Sequence, residues 1–125
     1  MVLRPAIVDT SVLVGRDHRP GEGLDEEWAI SVVTIGELEA GVLLARDPTV
    51  RAARLRRLTG VLGEAPVLPV DRSVAARYGE LRSATGRRPT NDLWIAATAL
   101  AHDLTLVTVN ERQAALPWVR SRVLR

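Results

Sequence analysis

At 125 residues, 46% of them hydrophobic, the chain is long enough and apolar enough to bury a core rather than stay disordered. That core has to be aliphatic, since there is no Phe and one Tyr, and the absence of Cys excludes disulfides, a thiolate nucleophile and a Cys-based zinc site. Net charge is +2 and all 17 basic side chains are Arg, which removes the lysine that a P-loop, a protein kinase, a receiver domain or a haloacid-type phosphatase relies on.

In chain order, Ala6 to Asp9 reads as a short buried strand. Residues 16–27 hold Pro20, Gly21 and Gly23 among several charges and read as a loop with a short helix at its end. Trp28 to Val33 is a second strand, and a helix follows from Thr34 to about Ala45. Asp47-Pro48 starts another helix, with Val50 to Leu62 apolar at helical spacing and Arg51, Arg54, Arg56 and Arg57 along it. Val67 to Val70 is a third strand, placed at a sheet edge because Pro69 lacks an N–H. Asp71 caps a helix to Ala84, and residues 86–90 turn into an Ala-rich, buried helix from Asn91 to His102. Leu104 to Val109 and Trp118 to Val123 complete five strands. Strands alternating with helices predict an α/β fold of one domain over 1–125, with a mainly parallel five-stranded sheet between helices. No stretch approaches the ~20 apolar residues of a membrane span. Met1-Val2-Leu3-Arg4-Pro5 has no signal-peptide core, so a cytoplasmic protein is expected.

Three carboxylates stand at the edges of apolar runs: Asp9 after Ala6-Ile7-Val8, Glu37 within Thr34-Ile35-Gly36-Glu37-Leu38, and Asp92 opening Asn91-Asp92-Leu93-Trp94-Ile95. Each has a purely structural alternative. Asp9 can cap a helix starting at Thr10. Glu37 lies at capping-box spacing from Thr34. Asp92 in a first helical turn complements the helix dipole. None of these explains why all three should meet at one end of a sheet, where α/β folds bind their ligands. Grouped carboxylates repel one another, and Mg2+ or Mn2+, which prefer oxygen ligands, would relieve that. Phosphate-directed chemistry is the expectation, with Thr10 and Ser11 as hydroxyl donors beside Asp9.

Ile7-Val8-Asp9-Thr10-Ser11, Thr34-Ile35-Gly36-Glu37-Leu38-Glu39 and Asn91-Asp92-Leu93-Trp94-Ile95-Ala96 together resemble the three acidic motifs of PIN-domain ribonucleases, in particular VapC-type toxins. The resemblance runs over essentially the whole chain. It implies a PIN-like three-layer fold and hydrolysis of RNA by a metal-activated water. It also implies restraint by a cognate VapB-type antitoxin, and a homodimer. Asp9 and Asp92 are then the metal ligands, with Glu37 as ligand or water orienter. Asn91 and Thr108 match supporting positions. Where the family carries a fourth polar or acidic group this chain has Asn110, beside Glu111, and Gln113-Ala114 replaces an acid–aromatic pair.

An acidic site needs basic neighbours to attract a polyanion, and Arg87 and Arg88, just before the third motif, are the candidates for RNA contact. The Arg51–Arg57 cluster reads as a solvated helix face, and Arg120, Arg122 and Arg125 as a solubilising tail. His18 and His102 have no partner at catalytic or metal-binding spacing. Trp28, Trp94 and Trp118 are assigned to core or dimer packing. The competing reading is a catalytically weak or inactive PIN-like module that binds RNA or protein, for which Asn110 is the sequence argument.

Overall fold

The computed structural model describes residues 5–14, 24 and 27–124. His18, Arg125 and most of the 16–27 loop lie outside them. Five strands, β1 (Ala6–Val8), β2 (Trp28–Ser31), β3 (Val67–Leu68), β4 (Thr105–Thr108) and β5 (Ser121–Val123), form a sheet in the order β3-β2-β1-β4-β5. Every pairing is parallel. Six helices accompany them: α1 (Thr10–Leu13), α2 (Val32–Leu44), α3 (Pro48–Glu64), α4 (Arg72–Thr85), α5 (Thr90–Ala101) and α6 (Glu111–Ala114).

Period-two alternation in the strands divides the core between two faces. Ala6 and Val8 of β1 join Ile30 and Val107 in one cluster with Leu38 and Val42 of α2 and Leu58 and Val61 of α3. Ile7, between them, points to the other face, where Leu106 meets Val74 and Leu81 of α4 and Leu93, Ile95, Ala96, Ala97 and Ala99 of α5. This makes the expected three layers. With no Phe available, α5 uses alanines to lie close to the sheet. The one stacked aromatic pair among the described residues is Tyr78 on Trp94, centroids 3.9 Å apart, which ties α4 to α5.

Several expected boundaries move. The second strand stops at Ser31, two residues short of Val33, because the Ser31 hydroxyl accepts from Val33 N at 3.0 Å and caps α2. Val32 and Val33 read as strand residues by β-branching, yet they form the first turn. With the cap at Ser31, the Thr34–Glu37 capping box does not form. Pro69 falls just outside β3, which is the edge strand. The last strand begins at Ser121 because Trp118 adopts a left-handed backbone, φ 68°, that ends any extended run. Trp118 is 62% exposed and does not pack in the core. Helix α6 was not anticipated. Asp71 caps α4 as expected, accepting from Val74 N at 3.1 Å and Ser73 Oγ at 2.8 Å, and these bonds hold its carboxyl below the usual range.

The arginines divide by role. Arg51 Nη2 donates to Ala45 O at 2.8 Å and Arg54 Nη1 to Gly41 O at 2.7 Å, so two of the four in the α3 cluster fasten α3 to the end of α2. Arg120 is no tail residue: its Nη2 reaches Asp103 Oδ1 at 2.7 Å and Asp103 O at 3.1 Å, clamping a turn whose φ is 53°. Among the described residues no helix is long and apolar enough to cross a membrane.

Candidate active site

Strand order reverses around β1. The chain passes from β1 outward to β2 and β3, then returns to β4 on the other side of β1. A crevice opens at such a point beyond the carboxyl ends of the strands. Asp9 stands there, at the end of β1, with its backbone N bonded to Val107 O at 2.8 Å. Parallel register pairs Val8 with Val107, so the next residues of the two strands, Asp9 and Thr108, face each other.

Asp9 is 3% exposed. An ionised carboxylate so placed needs donors. Its Oδ2 accepts from Ser11 N at 3.2 Å, from Ser11 Oγ, and from Thr108 Oγ1 at 3.2 Å. The structural alternative for Asp9 is therefore correct: it caps α1. The cap uses Oδ2, and the described residues bring no donor to Oδ1. Thr108 is fully buried and links three elements: it donates toward Asp9, lies 3.4 Å from Gln113 Oε1, and accepts from Asn110 N at 3.0 Å.

Glu37 lies in the second turn of α2, carried to the site by the early start of that helix. Its Oε1 accepts from Thr10 Oγ1 at 2.6 Å, and Thr34 Oγ1 lies 2.9 Å from the same threonine oxygen. The sequence presents Thr34 only as the capping-box partner of Glu37, not as a site residue. Its signal was its place one helical turn before Glu37 on the same face.

Asp92 lies in the first turn of α5, whose N-cap, Pro89, makes no side-chain cap bond. Its carboxylate is half-buried and meets no donor among the described residues. Burial raises its pKa, and the charges of Asp9 and then Glu37 raise it further. The three acids thus share one field, as expected. They do not close into a cage: among the described residues no three acidic or histidine side chains converge tightly enough to enclose an ion. An all-oxygen set, with one carboxylate undonated and one oxygen of Asp9 in reserve, fits a hard cation that keeps most of its water and takes one or two carboxylates. Asp9 and Asp92 are the pair that could hold it, while Glu37 is drawn to Thr10.

The remaining candidates separate. Asn110 caps α6, its Oδ1 accepting from Arg112 N at 2.9 Å, so its carbonyl oxygen is occupied and its amino group is what remains. Asn91 is exposed and makes no bond among the described residues. Arg87 and Arg88 line a cleft with Asp92 and Asn110. Gln113 is the residue the sequence left unplaced: only 2% exposed, it lies between Thr108 and the Asp92 carbonyl, to which its Nε2 donates at 3.4 Å. His102 ends α5, away from any such role.

A family model described as the PIN domain matches residues 6–119. The chain belongs to the PIN-domain family. This PIN domain is similar to Ribonuclease VapC4 of Mycobacterium tuberculosis, with 40% identity over 124 residues, 94% of this chain and 95% of the relative. It is also 40% identical over 119 residues to Ribonuclease VapC5 of the same organism, covering 88% and 86% of the two chains. Among solved structures it superposes on the VapBC-5 toxin–antitoxin complex of M. tuberculosis with a TM-score of 0.80 at 36% identity, over 98% of this chain and 99% of the other. FitAcB of Neisseria gonorrhoeae gives a TM-score of 0.75 at 28% identity, over 93% and 95%. The PIN-like three-layer fold and the VapC resemblance expected from the three motifs are both borne out.

Proposed function

We propose that this PIN domain is a metal-dependent endoribonuclease, the toxin of a toxin–antitoxin pair, and that Asp9, Glu37 and Asp92 are its acidic site. The observation that carries the reading is Asp92, a half-buried carboxylate without a donor whose proton affinity is raised by two further carboxylates. A group so placed gains most from a cation. The 40% identity to Ribonuclease VapC4 over nearly the full length of both chains supports the substrate class.

Mg2+ or Mn2+ held by Asp9 and Asp92 would acidify a water and draw off charge from the scissile phosphate. The chain's own residues do the positioning. Ser11 and Thr108 fix the Asp9 carboxylate through Oδ2 and so aim Oδ1 outward. Thr10, bonded to Glu37 at 2.6 Å, holds that carboxylate as orienter of the attacking water. The Asn110 amino group, a donor not used by the α6 cap, would be available to the phosphate from the α6 side, and Asn91 stands exposed beside Asp92. The likeness to VapBC-5, a member of a toxin–antitoxin family, supports a cognate VapB-type antitoxin as partner; a homodimer in the cytoplasm completes the proposal.

Cleavage of total RNA tests this, with Mn2+ or Mg2+, with EDTA, and with Asp92→Asn alongside. Discrete fragments that need both metal and Asp92 are expected; full cleavage in EDTA or by the variant would overturn the reading. One observation favours the inactive binding module instead: neither Asn110, its carbonyl oxygen taken by Arg112 N, nor Gln113 adds a charge at the fourth corner. RNA binding without cleavage and without Mn2+ uptake in calorimetry would decide for that module.

A further inference from the structure

On the α5–α6 side of Asp92 lies a cleft of about 510 Å3. Its size falls within the range of small-ligand sites. Its rim carries Arg87, Arg88 and Arg112, three guanidinium groups against the single carboxylate of Asp92. Its accessible apolar surface comes from Pro89 and Ala115, both exposed, backed by the buried Leu93 and Leu116. Arg88 Nη1 is partly engaged with Arg112 O at 3.2 Å. The guanidinium groups of Arg87 and Arg112 form no bond among the described residues. A basic rim beside an apolar surface matches an unpaired nucleotide: phosphate oxygens go to the arginines and a base face to Pro89 and Ala115.

We propose that this cleft seats the nucleotide adjacent to the scissile phosphate, with Arg87 and Arg112 on its flanking phosphates and the base against the exposed faces of Pro89 and Ala115. The assignment rests on the nuclease reading for its orientation, since the cleft shares Asp92 with the acidic cluster. Arg112 enters through α6, the helix that the sequence did not announce. Asn110 caps that helix, and so holds Arg112 at the rim as well as offering its amino group to the nucleotide. A cleft that takes one nucleotide at a time favours single strands, because a paired base cannot turn out of its stack without cost.

The test is fluorescence anisotropy of a labelled single-stranded oligoribonucleotide in EDTA, with a duplex of the same sequence as comparator. Arg87→Ala and Arg112→Ala should each weaken single-strand binding about tenfold. Each should flatten the log–log salt dependence by about 0.7. The exposed Arg56→Ala on α3 should bind as the wild type does, and the duplex should bind more weakly. Cleavage measured in parallel with Mn2+ keeps the two readings apart. Binding that depends on the two arginines without any cleavage would remove the nuclease and leave the cleft. Unchanged affinity and salt slope in both variants, or equal affinity for the duplex, would overturn the cleft. So would unaltered RNA binding with lost capture of a co-expressed antitoxin, which would make it a protein-docking surface.

Discussion

Thr108→Val replaces one buried oxygen with a methyl group at nearly constant volume, so no cavity contribution enters. That oxygen lies 3.2 Å from Asp9 Oδ2 and 3.4 Å from Gln113 Oε1, and accepts from Asn110 N at 3.0 Å. Asp9 Oδ2 keeps both Ser11 donors, so losing this longer bond to a charge costs about 1.5 kcal/mol, the low end for such bonds. The Asn110 N–H is left facing carbon, at about 1–2 kcal/mol. The sum, about 2.5–3.5 kcal/mol, is a large share of the ~5–15 kcal/mol by which a domain is stable. For a chain of this size it lowers Tm by roughly 10 °C. Urea unfolding is the assay: the midpoint should fall with the slope unchanged. Thr108→Ser restores the oxygen and should recover most of the loss together with RNA cleavage. A Val variant within ~0.5 kcal/mol of wild type, or a Ser variant less stable than Val, would refute the linking role of this hydroxyl.

Two further outcomes are expected. Asp92 has a raised pKa in the fold, so its ionisation opposes folding. Its contribution is intact below the ordinary value of 3.8 and lost as pH climbs through the raised value. Asp92→Asn should therefore be the more stable protein in EDTA at pH 7, the gap closing in melts below pH 3.8, and Mn2+ should raise the Tm of wild type alone. Gly86 and Gly79 both have open space where a Cβ would go, but only Gly86 has a positive φ, 68°. Gly86→Ala should cost about 1 kcal/mol, and Gly79→Ala inside α4 should gain up to about 1 kcal/mol; urea midpoints moving the same way in both would contradict the backbone argument.

The three acidic motifs were legible because each coupled a carboxylate to an apolar run of clear period, and apolar runs dictate where elements lie. Their spatial meeting follows from strand order, which alternating strands and helices suggest on general grounds. What failed was local. Val32 and Val33 are β-branched and argued for strand, while one capping serine before them decided for helix. Helix α6 carried its own signal, a capping Asn110 with Glu111 in the first turn, but reading Asn110 as a site residue obscured it. The sequence marks Gln113 only as standing where an acid–aromatic pair is expected, and nothing there announces its burial. A glutamine is usually exposed, and the partners that bury this one come from β4 and from α5, 21 residues away.

The pairing of Val8 with Val107 also sets when the chain acquires its acidic site. Asp9 and Thr108 are 99 residues apart in the chain, and their contact exists only once β4 has docked against β1. A nascent or half-folded chain has made Asp9 early in synthesis but has neither its β4 support nor Asp92 beside it. Assembly of the acidic site is thus gated by the last central strand to be synthesised.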